Sequence, residues 1–368
     1  MKRLLFLLLV LCISCTNNDP IKFALAADSD KIQRVMKNLE AYEVQIMVTD
    51  ANGDEFKFQV DDSNYFYPAS SVKLPVALLA LETANNYDDF DSRTMFQVEG
   101  DSVQTNIRRE ITKIFAVSDN DAYNRLFELM GQFEINTRLI YNKKLTPVRI
   151  SHRVGTTNAA ALKTKPVTIL KNDTAQFKRI VIKSSPIKSL ELNRIQKGKG
   201  FYRNDTLVSK PMDFSKKNYL PIATLHQLMH RLHHPEKYNP KVLFELSESD
   251  RNFLLEAMHK TPKQQGFTDP EYYDSYVKFF MFGDSKEPMP EHIKIYNKVG
   301  YAYGYLTDCA HIIDTKNDVS FTITATIHVN KNQIFNDDTY EYDEIGIPFL
   351  AELGRQVHQF YLNKKQQK

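Results

Sequence analysis

Apolar residues Ile32, Val35, Met36 and Leu39 recur at helical spacing across residues 28–42, and Glu43 to Val60 then alternates around the turn pair Asn52-Gly53. The first pattern predicts a helix and the second a β-hairpin, because periods of 3.6 and 2 each put apolar side chains on one face. The segment Ser71–Thr83, SVKLPVALLALET, is apolar on most faces, as a helix buried inside a domain should be. Further helical patterns cover about 106–117, 121–131, 223–233 and 248–259. Near the end, Ile293–Asn297, Thr307–Asp314 and Val319–Val329 are rich in β-branched and aromatic residues, with Lys316-Asn317-Asp318 as a turn. A helix over about Ile345–Leu362 closes the chain.

Strands at both ends and helices between them predict a mixed α/β (α+β) fold. The N- and C-terminal segments share one antiparallel sheet flanked by helices, and residues of about 70–290 form a helical lobe. A site is expected between the two. The stretch 159–218 alternates β-like runs, Val167–Leu170 and Arg179–Lys183, with polar turns, and reads as an insertion on the helical lobe.

Composition narrows the function classes. The 368 residues are 42% hydrophobic and 25% charged, enough for a substantial core. Lys plus Arg number 48 and Asp plus Glu 45, with both signs interspersed, so no basic field is present to gather phosphates and nucleic acid is excluded as a partner. Residues 1–14 open with Lys2 and Arg3 and continue with an apolar run to Ile13, which reads as a signal peptide. Cys12-Ile13-Ser14-Cys15 resembles a bacterial lipobox, although Cys12 stands where that pattern prefers Leu. Lipidation of Cys15 followed by a polar tether over 15–27 is the expectation, and an ordinary secretory signal cleaved nearby is the alternative. The lipoprotein reading places the mature protein, expected to be a monomer, at the membrane of a bacterial cell envelope. Only Cys309 would then remain, in an apolar run that reads as a buried strand.

The candidate chemistry begins at Ser70-Ser71-Val72-Lys73. A serine at a helix N-terminus lies near unsatisfied N–H groups and the positive end of the dipole, and a lysine three residues on shares its face. A desolvated, neutral lysine amine can take the serine proton and make Ser70 a nucleophile. In a helix that is otherwise apolar, Lys73 needs such a reason. Two further motifs follow in order: Ser118-Asp119-Asn120 between two helical patterns, and Lys298-Val299-Gly300 at the end of a predicted strand.

With these three motifs in these contexts, the sequence resembles the class A serine β-lactamases and the related penicillin-binding proteins over roughly residues 28–362. The resemblance implies a β-lactamase-like fold of one catalytic domain, residues 28–368. It implies that Ser70 attacks a substrate carbonyl, Lys73 takes its proton and Ser118 relays a proton to the leaving amine. Asn120 would hold a substrate amide, Lys298 would attract an anionic group, and Gly300 and Tyr301 would line the substrate, with the N–H groups of Ser70 and Tyr301 as oxyanion hole. Asp119 would orient its loop. The implied partner is a β-lactam or a peptidoglycan stem peptide, and no cofactor or metal is implied.

Two positions depart from that family. Val299 stands where a hydroxyl residue binds the substrate carboxylate; a bond to a charged group is worth roughly 1.5–3 kcal/mol. The stretch Arg149–Asn158 fits the frame of the family's deacylation loop, but Val154 occupies the position of its glutamate. Loss of that general base is expected to cost about 10²–10⁴ in acyl-enzyme release. His152 is a candidate substitute, its alternative being a surface loop histidine; Glu191-Leu192-Asn193 looks similar but lies far along the insertion. A metal is not expected at His226, His230, His233 and His234, which share a helix without an accompanying Cys or acidic ligand.

Overall fold

A computed structural model describes residues 18–85, 90–171, 174–179 and 181–367, so the expected signal segment and Cys15 lie outside the described residues. Five antiparallel strands form the main sheet in the order Ile293–Ala302, Tyr305–Asp314, Val319–His328, Gln45–Asp50, Glu55–Phe58. Both chain ends thus meet in one sheet. The hairpin turns at Asn52-Gly53, where Gly53 has φ 97, a left-handed conformation that glycine adopts without a Cβ clash.

One sheet face packs on the C-terminal helix Ile347–Gln366 and on two short helices, Pro20–Leu25 and Asp30–Met36, around a core that includes Ile46, Ile295, Phe321, Phe349 and Leu353. The other faces the helical lobe, whose helices are Lys73–Asn85, Ile107–Val117, Asn120–Met130, Gln132–Thr137, Ile222–His233 and Glu248–His259. The helix Lys73–Asn85 runs through the centre of that lobe, and all but its last residue are buried. Each fully buried Leu or Val there contributes roughly 1.5–3 kcal/mol of transfer free energy. Its one buried carboxylate, Glu82, is matched by Arg138 and Lys143, as an ionised group out of water requires.

The sequence pattern and the structure differ at four places. Pro20–Leu25 is a helix with Ile21, Ala24 and Leu25 buried and Asp19 capping it, so the tether expected over 15–27 does not extend through these residues. The helix expected over 28–42 breaks at Lys37-Asn38 into Asp30–Met36 and Leu39–Tyr42. The second β-run of the insertion is Thr174–Arg179, paired with Val167–Lys171 and through it with Met95–Val98 of the helical lobe. Residues 190–214 extend further, packing Leu192, Phe201, Met212 and Phe214 against Tyr65, Tyr67 and Phe335 at the end of the main sheet. Finally, Lys298 to Gly300 lie inside a strand that runs on to Ala302, not at its end.

Candidate active site

Ser70 sits on a single 3₁₀ turn, Ala69–Val72, that leads into the helix beginning at Lys73. Ala69 before it has φ 46, a left-handed conformation that costs a residue with a Cβ and holds Ser70 at a fixed angle. The turn is pressed against the edge strand of the sheet. A Cβ on Gly300 would stand 2.6 Å from Pro68 O, 2.7 Å from Ser71 N and 2.8 Å from Ser70 N, all backbone atoms, so only glycine lets the strand pass so close.

Lys73 is fully buried. Its Nζ donates to the carbonyl of Ser118 and, at 2.7 Å, to Asn120 Oδ1, and lies 3.4 Å from Ser118 Oγ. Burial lowers its pKa to about 7, against the opposing pull of Asp119. A neutral amine has two N–H groups and one lone pair. The two carbonyl oxygens accept the two N–H groups, which leaves the lone pair for a hydroxyl proton.

Ser118 ends the helix Ile107–Val117 in the left-handed region, φ 55 and ψ 37. Asp119 then caps the next helix, its Oδ1 accepting from Ala122 N at 2.7 Å. This tight junction between two helices aims the Ser118 hydroxyl at both lysines, for Lys298 Nζ donates to Ser118 Oγ at 2.9 Å and to Val299 O at 2.7 Å. Burial holds the Lys298 pKa well below its ordinary value, and Lys73 pushes it further down while Asp308 opposes. Behind Lys298, a buried chain runs from Lys278 through Asn297 to Asp308, with bonds of 2.8 and 2.9 Å. No sequence motif marks Lys278 or Asp308.

The cleft between the lobes, of about 910 Å³, is lined by Ser70, Ser118, Asn120, His152, Val154, Val299 and Tyr301. The structure therefore brings together Ser70, Lys73, Ser118, Asn120, Lys298, Gly300 and Tyr301. The Tyr301 side chain is 52% exposed at the cleft mouth. Val299 is buried and offers no hydroxyl. Val154 is clamped through its backbone by Asn124, which donates to Val154 O at 2.8 Å and accepts from Val154 N at 2.9 Å.

Arg149 does not reach across its loop to Asn158, which is exposed; it holds the carbonyls of Lys188, Ser215 and Lys217 instead. Glu191 to Asn193 lie away from the cleft, Asn193 pairing with Ser63 and Asn64. His152 is in the cleft wall, but its Nδ1 donates to Arg153 O at 2.5 Å and its Nε2 is buried without a partner. Burial lowers its pKa to about 4. A base that holds an attacking water needs solvent at its lone pair, so this arrangement does not equip His152 for the deacylation role considered from the sequence.

The helix histidines are occupied otherwise. His226 bridges Thr49 and Thr324 at 2.8 and 2.9 Å, His230 bonds Tyr238, and His233 stacks on His311 with ring centroids 4.2 Å apart. Among the described residues no group of three or more His, Cys, Asp or Glu side chains is placed to hold a metal ion.

A family model described as the β-lactamase enzyme family matches residues 28–361. No curated protein matches the sequence significantly. Solved structures do. A class A β-lactamase from Bacteroides cellulosilyticus DSM 14838 superposes with TM-score 0.54 at 10% identity, covering 94% of this chain and 100% of its own. A β-lactamase from Chitinophaga pinensis DSM 2588 gives 0.53 at 13% identity, covering 90% and 99%. One from Burkholderia ambifaria gives 0.53 at 12%, covering 89% and 98%. At such identities the likeness establishes the fold.

Proposed function

On the premise that this chain belongs to the β-lactamase enzyme family, we propose that it is a serine hydrolase of the class A type that opens β-lactam-like cyclic amides through an acyl-Ser70 intermediate. The observation that carries this reading is the Ser118 hydroxyl held between two buried lysines, Lys73 and Lys298, beside the Ser70 turn. Ser70 Oγ attacks the carbonyl as its proton passes to the Lys73 amine. The negative oxygen that forms is met by the N–H groups of Ser70 and Tyr301, each such donor being worth about 10²–10³ in rate. Ser118 then delivers the proton to the leaving nitrogen as the C–N bond breaks, and Lys298 sets the potential around it.

Release of the acyl group is the slow half. Water must attack the Ser70 ester, and Val154 offers no carboxylate to take its proton. A second reading follows from that same residue, a D-alanyl-D-alanine peptidase or transpeptidase of the cell wall, in which an amine or a slow water completes the cycle. A third, a sensing lipoprotein without chemistry, is disfavoured by the convergence of Ser70, Lys73, Ser118, Asn120 and Lys298. In each case the protein is exported, held to the membrane by lipid on Cys15, and acts as a monomer. That proposal is checked by the mass of the mature N-terminal peptide, which carries a diacylglyceryl group on Cys15 or does not.

The test of activity is turnover of a chromogenic cephalosporin together with mass analysis for a penicillin adduct on Ser70. Fast turnover supports the hydrolase, a persistent adduct with little turnover the cell-wall enzyme, and neither signal overturns both.

A further inference from the structure

The cleft holds a cation that the chemistry at Ser70 leaves unused. Lys217, near the end of the insertion, lines the cleft with its ammonium 5.6 Å from the centroid of the Tyr303 ring. Its backbone is fixed, because Arg149 donates to Lys217 O at 3.1 Å from Nε and 2.6 Å from Nη2. Asn218, the next residue, accepts at 2.7 Å from Ser151 N. Tyr303 is fixed as well, edge-on to Tyr67 at 4.9 Å and to Phe214 at 5.5 Å. Among the described residues no carboxylate forms an ion pair with Lys217. Of the acids that line the cleft, Asp119 caps a helix and faces Lys73, and Asp343 lies by Tyr273.

The position of this cation within the cleft has chemical meaning. Ser118 and Lys298 mark the end where the leaving nitrogen is protonated. From there the free edge of the strand Ile293–Ala302 runs past Ser70, its last residue Ala302 lying about 13 Å from Lys298 at about 3.3 Å per residue, and Tyr303 opens the hairpin turn just beyond it. Lys217 therefore stands at the acyl end of the cleft. A partly buried ammonium attracts an anion more strongly than one in open water. At the leaving-group end, Val299 has removed a hydroxyl that would bind a carboxylate.

We propose that Lys217 anchors an anionic group on the acyl side of the scissile bond, so that acyl donors carrying a carboxylate there react faster than otherwise identical neutral ones. The proposal rests on the acyl-Ser70 reading. It makes selectivity a property of the insertion, which places Lys217, and not of the Lys298-Val299-Gly300 strand.

The test compares second-order rates of Ser70 acylation by benzylpenicillin and by its α-carboxylated analogue, followed by intact-protein mass in the full chain and in K217A, K217E and K217R. The wild type is expected to favour the carboxylated compound by about tenfold, as for one hydrogen bond to a charged group. K217A should abolish that preference, K217E should reverse it and K217R should retain it. The ratio is taken within each variant, so a loss of folded protein cancels. An equal ratio in wild type, K217A and K217E overturns the role of Lys217 while leaving acylation intact. Absence of any adduct with either compound overturns the acyl-Ser70 reading and this proposal with it.

Discussion

Lys298 Nζ donates to Ser118 Oγ at 2.9 Å, joining the last strand motif to the helix junction on the opposite wall of the cleft. The same hydroxyl lies 3.4 Å from Lys73 Nζ, so one side chain links both lysines. Replacing Ser118 with Ala removes the relay and leaves the two lysine amino groups without the oxygen between them. Acylation of Ser70 by a penicillin should fall by about 10²–10⁴, the range of general acid–base contributions. A stopped-flow or quenched mass assay reads this directly; unchanged acylation in S118A would remove Ser118 from the mechanism.

Lys73 supplies the pH dependence. Its pKa is lowered to about 7 by burial, and only the neutral amine can accept the Ser70 proton. The acylation rate should therefore rise with pH, about tenfold per unit well below 7, and level off above it. K73A should lose this limb together with most of the rate. A profile flat from pH 5 to 9 in the wild type would contradict the assignment.

Gly300 tests the closeness of strand and nucleophile turn. A methyl group there meets three backbone atoms within 2.8 Å, none of which is the end of a flexible side chain. G300A should push the Ser70 turn off the strand and lower acylation by about 10² or more, since a displacement near 1 Å costs that much. Thermal unfolding measured alongside separates loss of geometry from loss of fold.

Val154 tests the slow release. Asn124 fixes the backbone at this position through both its N–H and its C=O, so a longer side chain can enter the cleft without moving the loop. V154E should accelerate loss of a preformed penicillin adduct by about 10² or more if a carboxylate there can take a proton from water. Adduct lifetime followed by mass is the measurement, and an unchanged lifetime would mean that another feature limits release.

The histidines predict acid sensitivity. His226 and His311 are buried where the helix Ile222–His233 meets the sheet, His230 is buried beside Tyr238, and the half-buried His233 and His234 pack on His311. Burial is the main cause that lowers all their pKa values, to about 3 for His226 and His311. Lys57, Lys237 and Arg251 add to the effect, and Glu55 and Glu236 oppose it at His230. The unfolded chain binds protons below its ordinary histidine pKa and the native state does not, so stability is complete above about 6.5 and falls as pH drops towards about 3. At pH 5 the loss is about 2 kcal/mol for each fully buried histidine. Urea midpoints at pH 7.5 and 5.0 check the sign.

Much of the fold was readable because its elements carry strong periodicity. The apolar helix after Ser70 and the three C-terminal strands lie where the pattern put them, within a few residues. Pro20–Leu25 was missed because six residues carry too little period, and its burial comes from the C-terminal helix more than three hundred residues away in the chain. The site was legible where chemistry demands a motif: Ser70, Lys73, Ser118, Asn120 and Lys298 meet in one cleft. Lys217 and the Lys278–Asn297–Asp308 chain were not legible, because only tertiary packing brings them to the site. His152 shows the opposite limit: the sequence places it in the loop, but the burial of its free nitrogen is set by packing against residues far along the chain.

The proposed mechanism requires that Ser70 forms an acyl-enzyme whose release is slower than its formation. Intact-protein mass spectrometry followed over time after mixing with benzylpenicillin reads both steps in one experiment. The expected result is a gain of one penicillin mass on wild type that builds up because release is slower than acylation, maps to the peptide holding Ser70, decays as hydrolysed penicillin appears and is absent from S70A. No adduct and no turnover in the wild type, or the same adduct in S70A, would contradict it.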